Sequence, residues 1–282
     1  PWQAQDTERK MYLGMNEVEV QETNTALGYQ INSLYFTLPN EPYSGLVRRV
    51  SIKNLDDSPL EVEILDGLPG VVPYGVENGA LKYVARTIEA WMQVDNLAQD
   101  LPFFRLKATP GDTAEVHAID SGNYALAFNT EGLLSPIVDP KVVFGCDTGQ
   151  TDAHLFYELG IKGILDQPQV LEGRTPCAFF AGDLTIPSHQ TKTVTSVLGY
   201  AGDLSMVQSS SQVFQSPGYI DKKLVEARAL TETLTNDIGT SSKSPVFDGY
   251  CRQTFLDNLL RGGYPIVLGD EHVPHVYARK HG

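Results

Sequence analysis

The sequence predicts a mainly β protein, a sandwich of short strands that is followed by helices. Three observations lead to this prediction. Apolar and polar residues alternate with period 2 in several short runs, turn signals such as PGD and DSGN separate the runs, and helical periodicity becomes clear only after residue 216. Short strands at this spacing favour a sandwich over alternating strand and helix units. A chain of 282 residues can bury a substantial core.

Two early runs have the pattern of half-buried strands. Even-numbered positions in residues 46–53 are apolar except for Arg48, and residues 60–65 alternate in the same way. The intervening residues, 54–59, supply turn chemistry, so we expect an antiparallel hairpin. Arg48 falls on the apolar face, where it either meets a carboxylate or carbonyl partner or reaches solvent from an edge.

Further strands are expected along the next 150 residues. They are residues 81–94, 103–109, 115–120, 124–129 and 141–144. A Gly- and Pro-rich loop that carries Tyr74 precedes them, and residues 152–159 are expected to form one or two helical turns. The clearest pair is residues 178–186 and 192–200, because a tight PSHQT turn separates them.

The period changes after residue 216, where an amphipathic connector helix is expected. Ser216 can cap this helix, with Pro217 at its first position. Its apolar side is formed by Ile220, Leu224, Ala227 and Leu234. Residues 236–245, NDIGTSSKSP, then have the composition of a linker or an exposed loop.

A second helix is expected after this linker. Asp248 is its predicted N-cap, and Gly262 with Gly263 ends it ahead of a proline. One face of this helix carries Cys251, Phe255 and Leu259.

The charge of the chain limits its partners. The formal net charge is -14, and from residue 243 onward five Lys/Arg stand against four Asp/Glu, which leaves -15 for the first 242 residues. This argues against nucleic acid and anionic membranes, which need a basic surface, and is compatible with a neutral polar ligand such as a sugar. No apolar run approaches the roughly 18 to 20 residues of a membrane span.

Three cysteines, Cys146, Cys177 and Cys251, are an odd number without a CxxC pair. They predict reduced, buried thiols and neither a disulfide framework nor a zinc ribbon. No secretion signal is visible at the start of the chain, so we expect a cytoplasmic protein.

Catalytic sequence motifs give little information about the chemistry of this chain. The sequence has no Walker loop, no GxGxxG after a strand, no HExxH and no GxSxG. His272, His275 and His281 are more typical of surface or interface residues than of a metal site, and no metal is predicted.

The candidate binding residues lie around the second helix: Arg252, Gln253, Arg261 and Tyr264. A guanidinium group offers a fork of donors to a phosphate or a sugar hydroxyl. Asp257 precedes Arg261 by four residues, so a helix-stabilising ion pair is the alternative for that arginine. Tyr250, Phe255 and Tyr264 could stack on pyranose rings or pack in a core.

These segments also carry a family resemblance. FDGYCRQTFLDNLLRGGYP with the later VYARKHG resembles the start of the catalytic domain of inverting glycoside phosphorylases related to cellobiose and chitobiose phosphorylases, especially the β-glucan phosphorylase-like members. SLYFTLPNEPYSGLVRRVSIKNL, EVEILDGLPGVVPYG and GDLTIPSHQTKTVTSVLGYAGD resemble the N-terminal domain of that group.

The resemblance implies a specific organisation. Residues 1–215 would be a galactose-mutarotase-like β-supersandwich, residues 216–245 a helical linker, and residues 246–282 the first part of a truncated (α/α)6 barrel. Such enzymes commonly form homodimers. They need no cofactor, because inorganic phosphate is the co-substrate that attacks the anomeric carbon of a β-glucan or β-glucoside oligosaccharide while one carboxylic acid protonates the glycosidic oxygen.

That acid would lie beyond Gly282, so no catalytic residue is assigned in this chain and no activity is expected of it alone. Two alternatives remain open. The same architecture could belong to a glycoside hydrolase or to a phosphorylase module associated with a glucan synthase, or the sandwich could be a non-catalytic module for carbohydrate binding or dimerisation.

Overall fold

The structure is a computed structural model that describes residues 6–76, 78–109, 114–115, 117–236 and 238–262. Its strands are β1 (Thr7–Leu13), β2 (Glu17–Asn24), β3 (Tyr29–Thr37), β4 (Ser44–Asn54), β5 (Leu60–Leu68), β6 (Met92–Asp95), β7 (Phe103–Leu106), β8 (Gly122–Phe128), β9 (Ser135–Ile137), β10 (Ala178–Ile186) and β11 (Thr191–Ala201). Its helices are α1 (Asn78–Tyr83), α2 (Ala85–Glu89), α3 (Pro140–Phe144), α4 (His154–Leu165), α5 (Leu204–Gln208), α6 (Ser211–Phe214), α7 (Tyr219–Thr235) and α8 (Pro245–Gly262). The predicted mainly β class is confirmed.

The strands form two sheets. The large sheet has eight strands in the order β1-β2-β3-β4-β11-β8-β7-β6, and the small sheet has three in the order β5-β10-β9. Neighbouring strands in the described residues are antiparallel throughout. This arrangement is compatible with a β-sandwich.

Apolar residues on alternate strand positions hold the two sheets face to face. Val50 and Phe104 of the large sheet and Phe180 and Ile186 of the small sheet belong to one buried cluster. Burying a side chain of this size contributes about 1.5 to 3 kcal/mol. The outer face of the large sheet packs against α6 and α7, and the outer face of the small sheet packs against α3 and α4.

The expected hairpin between residues 46–53 and 60–65 is wrong. β4 pairs with β3 and β11, whereas β5 pairs with β10 in the other sheet. The clear pair at residues 178–186 and 192–200 is likewise two strands in different sheets. An alternating pattern predicts that one face is buried, but it does not specify which strand lies alongside.

Asn54 contacts both connections by which the chain passes between the sheets, the one from β4 to β5 and the one from β10 to β11. Its side chain is fully buried, and its amide nitrogen donates to the carbonyl oxygens of Ser58 at 2.7 Å and Ile186 at 3.0 Å. The Asn54 backbone N–H donates to the carbonyl of Gln190 at 2.9 Å. One buried amide therefore holds together the two connections by which the chain passes between sheets.

Four other expected strands are wrong or shortened, and one of them, expected at 103–109, ends at Leu106 as β7. Residues 78–83 and 85–89 are helical, so only β6 remains of the strand expected at 81–94. Of residues 115–120, the described part forms only an isolated bridge between Ala118 and Ala108. Residues 140–144 form α3, whose N-cap Asp139 accepts from the N–H of Lys141 and whose first residue is Pro140. The Asp-Pro pair is a helix-start signal that outweighs the two valines after it.

The helices begin at other residues than expected. α7 begins at Tyr219 because Gly218 adopts a left-handed φ of 76°, so Ser216 is not its N-cap. The predicted apolar side is confirmed for Ile220, Leu224 and Ala227, which are buried, whereas Leu234 is half-buried. α8 begins at Pro245, and Asp248 lies in its first turn, where its carboxylate accepts from the N–H of Ser242 at 3.0 Å.

Arg48 has the carboxylate partner that a half-buried arginine requires. It forms an ion pair with Asp66 of β5, and its Nε donates to the Tyr35 hydroxyl at 2.8 Å. This pair joins the large sheet to the small one.

The thiol prediction holds in part. Cys177 is buried and Cys251 is half-buried, but Cys146 is exposed, which corrects the expectation of three buried thiols.

Among the described residues, no helix combines the length and apolar character needed to cross a membrane.

Candidate functional site

The candidate site is the junction at which α7 meets the large sheet and α8 meets α7. α7 lies on the outer face of that sheet because its apolar stripe packs against apolar side chains of the strands. Ile220, Leu224 and Ala227 share a buried cluster with Val47 and Val197. The stripe follows the helical spacing i, i+4 and i+7, which brings all three side chains to one face.

Three ion pairs among the described residues help to fix the orientation of α7 on the large sheet. Asp221 pairs with Arg49 of β4 at 2.5 Å, and Lys223 pairs with Glu41 at 2.7 Å. Two turns further along, the Nε and Nη2 atoms of Arg228 donate to the two oxygens of Glu17 at 2.8 and 2.9 Å. Ion pairs distributed along a helix in this way oppose both its rotation and its sliding on the sheet.

Lys223 is the most buried of these charged residues. Its side chain is 7% exposed, and its Nζ also donates to the Pro39 carbonyl at 3.1 Å and to Glu226 at 2.9 Å. The Tyr219 hydroxyl donates to Glu41 at 2.7 Å. A buried charge is tolerated when it is paired and hydrogen-bonded in this way.

The pKa values of the pair reflect this environment. Burial favours the neutral forms of both groups, but the hydrogen bonds and charge of the partners outweigh it. The pKa of Glu41 therefore lies below its ordinary value, and the pKa of Lys223 lies above its ordinary value. Sequence reasoning missed Lys223, although a lysine within an apolar stripe at positions 220, 223, 224 and 227 is a visible signal.

α8 is attached to α7 by one of the predicted binding residues. The Nη2 atom of Arg252 donates to the Glu232 carboxylate at 2.6 Å and to the Thr235 hydroxyl at 3.0 Å. The guanidinium therefore holds the second helix against the first. Whether Arg252 also contacts a substrate stays a prediction.

The other predicted binding residues are not gathered around Arg252. Gln253 is exposed, and the Nε of Arg261 donates to Asp257 at 2.9 Å, as expected for the helix-stabilising alternative. Nine residues of helix place Arg261 about 13 Å from Arg252 along the axis and on the opposite side. Tyr264, together with His272, His275 and His281, lies outside the described residues.

A groove lies beside the first turn of α7. Its volume is about 760 Å³, and it is formed by the ends of β4, β8 and β11 together with the segment that joins α6 to α7. Polar side chains form much of its lining, among them Arg49, Asn129, Thr195 and Asp221. Sequence reasoning did not predict this groove, because the strands that form it are far apart in the chain.

Metal ligation has no candidate in the described part of the chain. Within that part, no three His, Cys, Asp or Glu side chains are grouped so as to hold an ion.

Comparison with known proteins identifies no family for this chain. No family model matches it, and no curated protein matches it. Solved structures share low similarity with it. A heparinase III structure is 7% identical over 72% of this chain and 22% of its own, with a TM-score of 0.35.

Two further structures match a larger share of this chain. A structure described as a kojibiose phosphorylase from the human microbiome is 9% identical over 91% of this chain and 25% of its own, with a TM-score of 0.31. A bacterial glucoamylase complexed with acarbose is 9% identical over 90% and 32%, with a TM-score of 0.40. The chain thus spans less than a third of the length of these three structures.

Proposed function

We propose that this chain is the N-terminal platform of a glycoside phosphorylase, which cleaves β-glucosidic bonds with inorganic phosphate and releases a sugar 1-phosphate. The observation that supports a platform is the attachment of α7 to the large sheet by an apolar stripe and three ion pairs, with Arg252 attaching α8 in turn. A catalytic domain built onto α8 would be held in a set orientation relative to the sandwich. The enzyme class rests on the sequence resemblance.

The proposal includes the finer organisation. Residues 1–215 act as the β-supersandwich, residues 216–245 as the helical linker and residues 246–282 as the start of an (α/α)6 barrel. The protein works as a cytoplasmic homodimer without a cofactor. Of the predicted substrate contacts, Arg252 and Arg261 cannot serve one small site together, because they project from opposite sides of α8.

The reaction is tested with the full-length protein. It is incubated with cellobiose, laminari-oligosaccharides or sophoro-oligosaccharides, with and without inorganic phosphate, and sugar 1-phosphate is measured. We expect product only when phosphate is present. Equal cleavage without phosphate would indicate the hydrolase alternative, and no cleavage of any sugar under either condition would contradict the enzyme proposal. The mass in solution tests the homodimer.

The platform role is tested by weakening the attachment of α7 at one of its three ion pairs. Arg228→Ala in the full-length protein removes the paired hydrogen bonds to Glu17, so turnover should fall several-fold while the sandwich keeps its melting temperature within a few degrees. Lys222→Ala is the matched control, because Lys222 is an exposed residue of the same helix whose nearest acidic oxygen, on Glu226, is 3.6 Å away. Unchanged turnover in Arg228→Ala would contradict the platform role.

Substrate contact by α8 is tested separately. Arg252→Ala breaks both bonds between the helices, whereas Glu232→Ala breaks the ion pair and leaves the bond to Thr235, and only the arginine could bind phosphate or sugar. If Arg252 contacts the substrate, its variant raises KM beyond the effect of Glu232→Ala. Equal KM values in the two variants would indicate that Arg252 attaches α8 to α7 and does not bind the substrate.

A further inference from the structure

The face of the large sheet that is turned toward α7 changes from apolar to polar along its strands. Under the helix the sheet presents apolar side chains, namely Val47 of β4, Leu126 of β8 and Val197 of β11, which are buried together. Two residues further along β4 and β11, the same face presents Arg49 and Thr195, which lie opposite each other. The next pair on this face is Ser51 and Thr193.

α7 reaches these polar pairs only with its first turn, where Asp221 pairs with Arg49. The helix begins at Tyr219, after the left-handed turn at Gly218, and the groove occupies the space beyond its first turn. The sheet is therefore polar at the end where the helix no longer covers it.

Thr195 is the most informative residue of the groove. It is only 5% exposed, and among the described residues no side-chain hydrogen bond of its hydroxyl is observed. A buried hydroxyl is normally hydrogen-bonded, and leaving one unpaired costs about 1 to 3 kcal/mol. Because Thr195 lines the groove, a group bound there could supply the missing bond.

The surroundings of Thr195 favour a neutral ligand rich in hydroxyl groups. The Ser51 and Thr193 hydroxyls are 3.1 Å apart, and Arg49 pairs with Asp221 at 2.5 Å across the groove. Arg49 is paired with Asp221, and Glu131 lies 3.9 Å from Lys192, so each of these two cations already faces a carboxylate and the groove does not suit an anion. Hydroxyl, amide and carboxylate groups together offer the donors and acceptors that sugar hydroxyls require.

We propose that this groove binds a neutral sugar, of one or two pyranose units, through the Thr195 hydroxyl and the Arg49–Asp221 pair. Its volume of about 760 Å³ lies within the usual range of small-molecule sites. The site is on the sandwich and does not use the residues predicted for the barrel. The choice of glucose oligosaccharides as probes rests on the proposed function, whereas the groove itself does not.

The test is isothermal titration calorimetry of the 282-residue chain with glucose, cellobiose and laminaribiose, and with glucose 1-phosphate as the charged probe. At least one neutral sugar should bind more tightly than glucose 1-phosphate. Thr195→Val replaces the hydroxyl with a methyl group of similar size, and we expect it to weaken binding at least fivefold. Thr185→Val on β10 is the matched control, since Thr185 is an exposed strand residue that does not line the groove.

Melting temperatures of the variants show whether each one folds. Absence of binding by all three neutral sugars to the unmodified chain would overturn the proposal, and so would equal affinities in the unmodified chain and a folded Thr195→Val variant. If Thr195→Val does not fold, Asp221→Asn must give the same loss, and unchanged affinity in that variant would overturn the proposal. Sugar binding by this chain does not depend on phosphorolysis by the full-length protein, so each proposal can fail without the other.

Discussion

Lys223 of α7 and Glu41, in the loop before β4, form a 2.7 Å ion pair whose lysine side chain is 7% exposed. The pair joins two segments that are 182 positions apart in the sequence. Because both groups are largely withdrawn from water, each favours the charged state of the other, together with Glu226 for Lys223 and the Tyr219 hydroxyl for Glu41. The contact therefore couples the position of α7 to the fold of the sandwich.

Replacing Lys223 should destabilise the chain. Lys223→Met leaves Glu41 without its cation, and breaking a buried pair in this way costs roughly 3 kcal/mol. Lys222→Met is the matched control, because Lys222 is 73% exposed and its surface pair with Glu226 is worth less than about 1 kcal/mol. Urea unfolding measures both. A loss of under about 1 kcal/mol in Lys223→Met would show that the pair is not a major contact.

The same pair predicts a pH dependence. The pKa of Glu41 is lowered in the folded state from an ordinary value of 4.5, so its stabilising effect is complete above pH 4.5 and is lost as the pH falls through the folded value. The pKa of Lys223 is raised from 10.5, so its effect is complete below pH 10.5 and is lost at higher pH. The difference in unfolding free energy between the unmodified chain and Glu41→Gln should be constant near neutral pH and should shrink below pH 4.5. A difference that grows with acid would contradict the assignment.

The contact between α7 and α8 can be measured as a coupling energy. A double-mutant cycle of Arg252→Ala and Glu232→Ala should give about 0.5 to 1 kcal/mol, since the pair is partly exposed. The readout is the opening free energy of α8 from native-state hydrogen exchange. Arg261→Ala with Asp257→Ala forms the comparison cycle within α8, where about 0.3 to 0.5 kcal/mol is expected. A coupling of zero for Arg252 and Glu232 would mean that they do not hold the two helices together.

Gly199 of β11 should not tolerate a side chain. A Cβ atom there would lie 2.7 Å from Cε1 of Tyr124 and would overlap the backbone carbonyl of Ser44. Gly199→Ala should therefore cost at least about 2 kcal/mol, as overpacking of a core does. Gly249→Ala is the control, because a Cβ atom at that α8 position would meet no atom of another described segment within 4 Å, and alanine favours helix by up to about 1 kcal/mol. Equal thermal stability of the two variants would refute the prediction.

Local patterns were enough to predict several elements. Alternation located β4 and β5, the tight PSHQT turn marked the boundary between β10 and β11, and helical spacing identified the buried stripe of α7. These predictions succeed because each depends on which face of a segment avoids water, and that is set by neighbouring residues. Where two local signals compete, as at residues 140–144, the cap and the proline outweigh β propensity.

Contacts between strands and side chains that are distant in sequence could not be predicted from local patterns. β4 and β5 follow each other in sequence but lie in different sheets, and the buried amide of Asn54 holds the crossing. The sequence by itself determined that the chain is mainly β, that it is acidic and that helices follow the strands. Only the tertiary structure decided how the strands divide between sheets, which carboxylate Lys223 meets and where Thr195 lines a groove, because each of these depends on contacts between segments far apart in the chain.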